Sequence, residues 1–235
     1  MYKIINSGII LVAIAAMLSS AGSSVIASVW ADDIAGDSGD DALPGTNGED
    51  NIWGLDGDDI IWGKSGDDNL YGMDDDDFIM GNNGRDFILG GDDDDVIEGN
   101  RGADEIDGGR NTDVIQGNSG DDDITGGRGN DDDDFLFGNE DRDRIKGGSG
   151  SDNIAGGSSD DRLWGGKNGD DIIGGKGDDY IHGGSGSDDI KGGSGDDILR
   201  GSSGADDFDC GSGDDEILDY DEDEGDDKED DCEDF

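Results

Sequence analysis

The chain is acidic and rich in glycine. Its 235 residues include 65 Asp and Glu, 15 Lys and Arg and 47 Gly, and the formal net charge is −50. Such a charge disfavours nucleic acid as a partner, because phosphate groups and this surface repel each other. The single histidine, His182, excludes an HExxH zinc motif.

The first 31 residues differ in composition from the rest. Lys3 supplies a weak positive start, and residues 9–18 are uninterrupted apolar residues, fewer than the roughly 18–20 that a spanning helix needs. This pattern predicts a signal peptide over residues 1–31, cleaved after Ala31 or Ala27. The protein would then be extracellular or secreted, possessing no membrane span after cleavage. An uncleaved N-terminal anchor is the alternative.

A nine-residue unit is repeated over residues 36–218. Gly stands first and is usual at the fourth position, Asp is sixth, and a large apolar residue is eighth. Residues 174–197, GGKGDDYIH-GGSGSDDIK-GGSGDD, show the pattern clearly. The repeat region contains twenty units, the first of which begins at Gly36. Only the unit that starts at Gly126 is longer, with twelve residues. Repetition at a fixed period is typical of solenoid proteins.

The unit has a simple physical interpretation. Glycine at fixed positions indicates turns with positive φ or close approach of backbones. Three residues centred on the eighth can form a short strand, in which the eighth side chain points one way and the seventh and ninth the other. Stacked coils would join the eighth residues into one core.

Six units depart from glycine at the fourth position. Asp and Asn tolerate a left-handed backbone better than other non-glycine residues, so five of the six are mild departures and Ser159 is the least expected. The six residues are Asp75, Asp93, Asn111, Asp141, Ser159 and Asn168.

The repeat resembles the calcium-binding nonapeptide G-G-x-G-x-D-x-U-x, where U is a large aliphatic residue, of the RTX or hemolysin-type family. The resemblance implies an all-β fold, a right-handed parallel β-roll (a β-solenoid) with two units per coil and about ten coils. It also implies that Ca²⁺ is bound by sixth-position aspartates and turn carbonyls of neighbouring coils, because Ca²⁺ prefers six to eight oxygen ligands. The expected ligands are Asp41, Asp50, Asp59, Asp68, Asp77, Asp86, Asp95, Asp104, Asp113, Asp122, Asp131, Asp143, Asp152, Asp161, Asp170, Asp179, Asp188, Asp197, Asp206 and Asp215.

The twelve-residue unit, GGRGNDDDDFLF, leaves one of these positions open. Both Asp131 and Asp134 can serve as the sixth residue. Asp131 keeps the turn motif GGRGND intact and is the residue that we predict. Three inserted residues would restore the eighth position at Leu136.

The composition predicts a fold that depends on calcium. One core residue in nine buries little apolar surface, the glycine-rich backbone is costly to order, and the carboxylates repel one another. We therefore expect the chain to be largely disordered without calcium and to fold cooperatively with it. A disordered acidic polymer is the alternative, although disorder does not require Asp and Ile to keep a fixed phase.

Aromatic residues concentrate at the seventh and ninth positions of the early units. If alternate units share a sheet, one outer face carries Ile60, Trp62, Phe78, Met80 and Val96, and the other carries Trp53, Tyr71, Phe87 and Leu89. Contiguous exposed apolar area usually indicates contact. We therefore expect self-association or cell-surface contact through Trp53, Trp62, Tyr71 and Phe78, although ordinary strand preference for aromatic residues is an equal alternative.

The repeats and the short segment that precedes them occupy residues 32–218. Residues 219–235 form an acidic C-terminal segment. Two cysteines in a chain with a signal peptide predict one disulfide, Cys210–Cys232. The last coil of a solenoid has no neighbour to cover it. We therefore interpret this segment as a disulfide-stapled cap and acidic tail.

These features favour a secreted calcium-binding repeat protein with a structural or adhesive role, and not an enzyme. The first alternative is an extracellular calcium buffer without a protein partner. The second is a hydrolase that uses carboxylates on the roll. The lone histidine, expected on the outer surface, argues against the enzyme, and the outer aromatic residues favour adhesion over buffering.

Overall fold

The computed structural model describes residues 33–127, 132–223, 225–229 and 232. The predicted signal peptide and Asp131 lie outside these residues. Within them, all regular secondary structure is β-strand, and no helix is present that is long and apolar enough to cross a membrane.

Short strands follow one another along the described chain at intervals set by the repeat. Most contain five or six residues, and the shortest lie at the two ends. The strands are β1 (Asp33–Ala35), β2 (Ala42–Pro44), β3 (Asn51–Asp56), β4 (Ile60–Ser65), β5 (Asn69–Asp74), β6 (Phe78–Asn83), β7 (Phe87–Gly91), β8 (Val96–Arg101), β9 (Glu105–Gly109), β10 (Val114–Ser119), β11 (Asp123–Gly127), β12 (Phe135–Glu140), β13 (Arg144–Ser149), β14 (Asn153–Ser158), β15 (Arg162–Lys167), β16 (Asp171–Lys176), β17 (Tyr180–Ser185), β18 (Asp189–Ser194), β19 (Ile198–Ser203), β20 (Asp207–Ser212), β21 (Glu216–Ile217) and β22 (Asp227–Lys228).

Successive strands alternate between two parallel sheets. The odd-numbered strands form one sheet and the even-numbered strands the other, which we call the odd sheet and the even sheet. Each strand pairs with the strand two units away, as in the register Ile97–Ile115–Leu136 of β8, β10 and β12. Two units therefore make one coil, and the predicted parallel β-solenoid is confirmed.

The number of coils is larger than the sequence predicted. Each sheet contains 11 described strands, which corresponds to about 48 Å along the stack at about 4.8 Å per strand, whereas twenty units predicted about ten coils. The difference arises at the ends. β1 precedes the first unit that we counted, and β22 follows the last unit and pairs with β20.

Most strands are also longer than the three residues predicted. They join the last three residues of one unit to the first three of the next, as in β10, Val114–Ser119. The second residue of the unit is left-handed even without glycine, with φ of 94° at Leu55 and 100° at Met73. The fourth position is left-handed too, and all six non-glycine residues there have φ between 66° and 92°: Asp75, Asp93, Asn111, Asp141, Ser159 and Asn168.

The hydrophobic core is one continuous ladder of eighth residues. These side chains run from Ile34 to Phe208 and are at most 4% exposed. Their seventh and ninth neighbours point outward, as the alternation of a strand requires. Leu136 occupies the core position of the twelve-residue unit, as predicted.

The C-terminal segment covers the last coils. The predicted disulfide Cys210–Cys232 is confirmed, and Cys210 is fully buried against the core. Tyr220 packs against Phe208 with ring centroids 6.5 Å apart, and the Lys228 ammonium lies 5.0 Å from the centre of the Tyr220 ring. The core ladder therefore ends under an aromatic residue and a disulfide.

The outer aromatic residues occupy the two faces that alternation predicts. On the odd sheet, Trp53 stacks on Tyr71 with ring centroids 5.7 Å apart, and Phe87 follows at 6.1 Å. On the even sheet, however, Phe78 is only 3% exposed. The expectation that Phe78 offers a contact surface is therefore wrong, because its side chain packs in register between those of Ile60 and Val96.

We expect Ile115→Ala to lower the free energy of unfolding by about 3 kcal/mol, because it leaves a cavity in a core only one residue thick. Urea unfolding in saturating calcium, followed by circular dichroism, measures the change. Gln116→Ala, on the outward side of the same strand, is the matched control and should change stability by less than about 0.5 kcal/mol. Equal effects of the two substitutions would contradict the assignment of the core.

Candidate metal centre

The sixth-position aspartates form two buried rows, one at each edge where the chain turns between the sheets. The sixth-position members of the rows are at most 4% exposed, whereas Asp226, which continues the first row, is half-buried. The first row is Asp41, Asp59, Asp77, Asp95, Asp113, Asp134, Asp152, Asp170, Asp188, Asp206 and Asp226; the second is Asp50, Asp68, Asp86, Asp104, Asp122, Asp143, Asp161, Asp179, Asp197 and Asp215.

Each carboxylate joins one coil to the preceding coil. The Oδ1 atom of Asp104 accepts a hydrogen bond of 2.8 Å from the backbone N–H of Asp86, and Asp122 Oδ1 accepts one of 2.7 Å from Asp104. The same bond recurs along both rows. The carbonyl of each aspartate in turn accepts the N–H of a seventh residue, such as Asp123 N–H to Asp104 O at 2.9 Å. The sixth position therefore needs a short side chain with an oxygen acceptor.

The second carboxylate oxygen is left without a protein donor along the interior of both rows. It is buried in each case, and a buried polar atom without a partner is costly. The described aspartates whose Oδ2 is in this state are Asp59, Asp68, Asp77, Asp86, Asp95, Asp104, Asp113, Asp122, Asp143, Asp152, Asp161, Asp170, Asp179, Asp188 and Asp197.

A backbone carbonyl oxygen approaches the same region as most of these atoms. A Cβ atom added to Gly54 would lie 2.3 Å from Asp59 Oδ2 and 2.6 Å from the carbonyl oxygen of Gly72. Most first-position glycines of the other interior units show the same approach. Glycine is required there because two oxygens occupy the space that any side chain would fill.

The terminal carboxylates are satisfied by their own turns instead. Asp41 Oδ2 accepts a 2.8 Å hydrogen bond from the N–H of Asp37, and Asp50 Oδ2 accepts the N–H of Thr46 at 2.5 Å. At the other end, Asp226 Oδ2 accepts the N–H of Asp221 at 2.8 Å. The lack of a protein donor is thus a property of the interior turns.

In the long unit, Asp134 is the residue that the structure places in the first row. Its Oδ1 accepts the N–H of Asp113 at 2.9 Å, and its own N–H donates to Asp152 at 2.9 Å. Asp131, the residue that the turn motif favours, lies outside the described residues. The three extra residues therefore precede the row position in the chain.

Burial raises the pKa of the interior carboxyl groups. Desolvation is the largest cause, and it raises the pKa of Asp95 to about 9 and that of Asp77 to about 8. Hydrogen bonds from backbone N–H groups oppose it, whereas the neighbouring carboxylates of the row raise the pKa further. Nearby positive charge would therefore be strongly stabilising.

The oxygen atoms of these turns suit a hard cation. Carboxylate and carbonyl oxygens are the ligands that Ca²⁺ takes, in variable geometry. Among the described residues, no three His, Cys, Asp or Glu side chains converge on one point, and the backbone carbonyls are the additional oxygens at hand. The interior Oδ2 atoms and the first-position carbonyls thus fit the calcium ions that the repeat implies.

Two features of the rows were not evident from the sequence. Asp226 continues the first row, but it follows Asp206 by 20 residues, so counting in steps of nine passes over it. The only signal is an acidic pair, Asp226 and Asp227, at the start of the short strand β22. The left-handed second position was also missed at Leu55 and Met73, because neither residue type favours it.

The geometry defines a class of repeat protein: a parallel β-solenoid whose interior turns carry buried aspartates with oxygen atoms that fit a cation. Comparison with protein families agrees, since the RTX calcium-binding nonapeptide repeat (4 copies) matches overlapping segments from 35–70 and 44–79 to 164–199 and 182–217. The chain belongs to the RTX calcium-binding nonapeptide repeat family. No curated protein matches it in a sequence search.

His182 lies at the ninth position of β17, as predicted. Its Nε2 atom is 2.7 Å from the hydroxyl of Ser202, and partial burial lowers the pKa of the imidazole. The ring is half-buried beside its register neighbours Trp164 and Arg200. It forms part of the outer surface of the odd sheet.

The raised pKa values predict opposite effects of pH with and without calcium. In a chelator, the folded chain binds more protons than the unfolded chain, so its stability is greatest below about pH 4 and falls as pH rises towards 9. In calcium, protons compete with the ion, and stability should rise with pH over the same range. Circular dichroism from pH 4 to pH 9, in EDTA and in calcium, tests both. More β-structure in EDTA at pH 8 than at pH 4 would contradict the prediction.

Proposed function

We propose that this protein is a secreted calcium-binding repeat protein that folds when it binds Ca²⁺ and serves as a structural or adhesive component outside the cell or at its surface. The observation that carries the proposal is the row of buried Oδ2 atoms without protein donors. In a chain with net charge −50, bound cations can satisfy and neutralise many buried carboxylates together.

The interior aspartates, from Asp59 to Asp197, would hold the ions together with the first-position carbonyls of neighbouring coils. Bound Ca²⁺ supplies positive charge between coils that otherwise repel each other. Asp41 and Asp50 already have internal donors for Oδ2, and their role as ligands remains a prediction from the sequence.

Folding and ion binding are coupled in this proposal. Each coil contributes only two core residues, and the paired oxygens come from different coils, so an unfolded chain has no preformed site. Each ion bound to the folded chain alone shifts the equilibrium by mass action. Low calcium would keep the chain unfolded, and calcium outside the cell would fold it.

A structural or adhesive role is favoured over catalysis and over buffering. The rows are buried and serve to join coils, which suits support of a rigid rod better than exchange of ions. The sheets expose a large area of defined side chains, including the aromatic row of Trp53, Tyr71 and Phe87. The family resemblance also favours calcium binding over catalysis.

We expect the chain to gain β-structure cooperatively as Ca²⁺ is added, at concentrations up to about 10 mM, and to show little gain with Mg²⁺. Mg²⁺ requires near-ideal octahedral geometry and sheds its water reluctantly, so backbone carbonyls suit it poorly. Circular dichroism during the two titrations measures the difference. An unchanged spectrum throughout the Ca²⁺ titration would reject the proposed function and favour a disordered acidic polymer.

Substitution of a single row aspartate should have opposite effects on folding in calcium and in EDTA. Asp104→Asn keeps an oxygen acceptor for the N–H of Asp86 but removes a buried negative charge. We expect it to destabilise the calcium-bound protein by about 2 kcal/mol, and to leave the chain in EDTA equally or more structured. Urea unfolding in calcium and circular dichroism in EDTA give the two values.

Glu105→Gln, at the adjacent exposed position, is the control for Asp104→Asn. It removes the same charge outside the row and should change stability by less than about 0.5 kcal/mol. If the two substitutions behave alike in calcium, the row does not bind the ion.

A further inference from the structure

The odd sheet carries a cationic and aromatic surface on its C-terminal half, unlike the rest of this acidic molecule. Across β13, β15, β17 and β19 the seventh and ninth residues include no Asp or Glu. We call the following residues the basic-aromatic patch: Arg144, Lys146, Arg162, Trp164, Tyr180 and Arg200.

Strand register brings these side chains together. Arg144 lies beside Arg162, and Arg162 beside Tyr180, in one row. Lys146 lies beside Trp164 in the parallel row, which His182 and Arg200 continue. The rings of Trp164 and Tyr180 lie 6.2 Å apart and are tilted by 52°. The patch spans four strands, or about 14 Å along the stack.

Acidic residues border the patch at both ends. Asp123 of β11 pairs with Arg144 at 3.1 Å, and Asp219 pairs with Arg200 at 3.0 Å. In the described part of the chain the central Arg162 forms no ion pair, and it is exposed. A cation at the centre, with aromatic rings beside it, is therefore open to an external anion.

The even sheet provides an internal comparison. On its strands β16, β18 and β20 the equivalent outward positions hold Asp171, Asp189, Asp207 and Asp209, with Lys191 paired to Asp189 at 2.6 Å. Outward positions of the repeat are free of the constraints that fix Gly, Asp and the core residue. The two faces of the same coils thus present opposite charge.

We propose that the basic-aromatic patch binds an acidic polysaccharide with widely spaced carboxylates. Arg162, which forms no ion pair in the described chain, would hold a carboxylate group through charge-assisted hydrogen bonds, and Arg144 would hold a second one alongside its contact with Asp123. Trp164 and Tyr180 would pack against the flat apolar faces of sugar rings, since aromatic side chains give large rigid contact surfaces. This inference adds a partner to the proposed function, and it relies on that function only for the folded state.

The spacing of charge on the ligand decides between polyanions. Nucleic acid carries a negative charge about every 1.7 Å of duplex axis, so a strand lying across the patch would meet Asp123 at one end and Glu216 at the other. In physiological salt, charges repel each other with little screening within about 8 Å. A strand in contact with Asp123 and Glu216 would therefore be repelled by both residues. A glycan in which acidic and neutral sugars alternate can place its carboxylates on the patch and neutral sugars over the acidic borders.

The test measures binding of a fluorescently labelled hyaluronan hexasaccharide by polarisation, in calcium that saturates folding. This probe alternates one uronate with one neutral sugar. We expect saturable binding, and a loss of about tenfold or more in affinity for Arg144→Ser/Arg162→Ser and for Trp164→Thr. A neutral N-acetylglucosamine hexamer should bind weakly or not at all.

Arg85→Ser/Arg101→Ser is the matched control, because it removes the same charge from exposed positions outside the patch and should leave affinity within about twofold. Equal loss in both double variants, equal binding of the neutral hexamer, or equally tight binding of a single-stranded oligonucleotide would overturn the proposal. Circular dichroism in calcium is recorded for every variant. Absence of hyaluronan binding in a chain that still folds with calcium rejects the patch alone, whereas failure to fold with calcium rejects the proposed function.

Discussion

The fold depends on a buried carboxylate that does two things at once. One oxygen of each interior row aspartate accepts the N–H of the preceding coil, for example Asp104 from Asp86 at 2.8 Å, and the other points to a region that backbone carbonyls approach. The first bond fixes the distance between coils. The second oxygen makes each turn unfavourable alone, because an anion is removed from water without a donor. The stability of the folded chain therefore depends on the cation bound beside this oxygen. With that cation bound, a core one residue thick is sufficient.

The rows also explain why the repeat tolerates variation where it does. The first glycine, the sixth aspartate and the eighth apolar residue each touch a neighbouring coil, so they are nearly constant along the chain. The seventh and ninth residues lie on the outer faces of the sheets, most of them at least partly exposed, and differ from coil to coil. The aromatic row around Tyr71, the basic-aromatic patch around Arg162 and the acidic face around Asp189 all use these positions. One scaffold can thus carry unrelated surfaces without change to its interior.

Most of the fold was predictable because the constraint is local and periodic. The phase of Asp and the core residue predicted stacked coils with a buried ladder from Leu43 to Phe208. The family resemblance implied the parallel β-roll, and the presence of two cysteines behind a signal peptide predicted the disulfide Cys210–Cys232. The errors occur where periodicity stops: Asp226 lies off the nine-residue step, and β1 lies before the first recognisable unit. Burial of Phe78 was missed because packing between neighbours in a sheet depends on side-chain volumes that an alternation pattern ignores. The satisfied ends at Asp41 and Asp50 depend on turn conformation, which composition does not specify.

The alternation of units between two sheets constrains how such a gene can change in length. Insertion of one nine-residue unit would move every later strand to the opposite sheet, so Arg162 and Trp164 would exchange faces with Asp171 and Ile173 relative to the first half. Insertion of two units would extend the rod by one coil and leave both faces intact. The twelve-residue unit shows that extra residues within a turn leave the faces in place, since β12 still pairs with β10 and β14. Length variants that gain or lose whole units and keep a functional face should therefore differ by multiples of 18 residues, or 54 nucleotides.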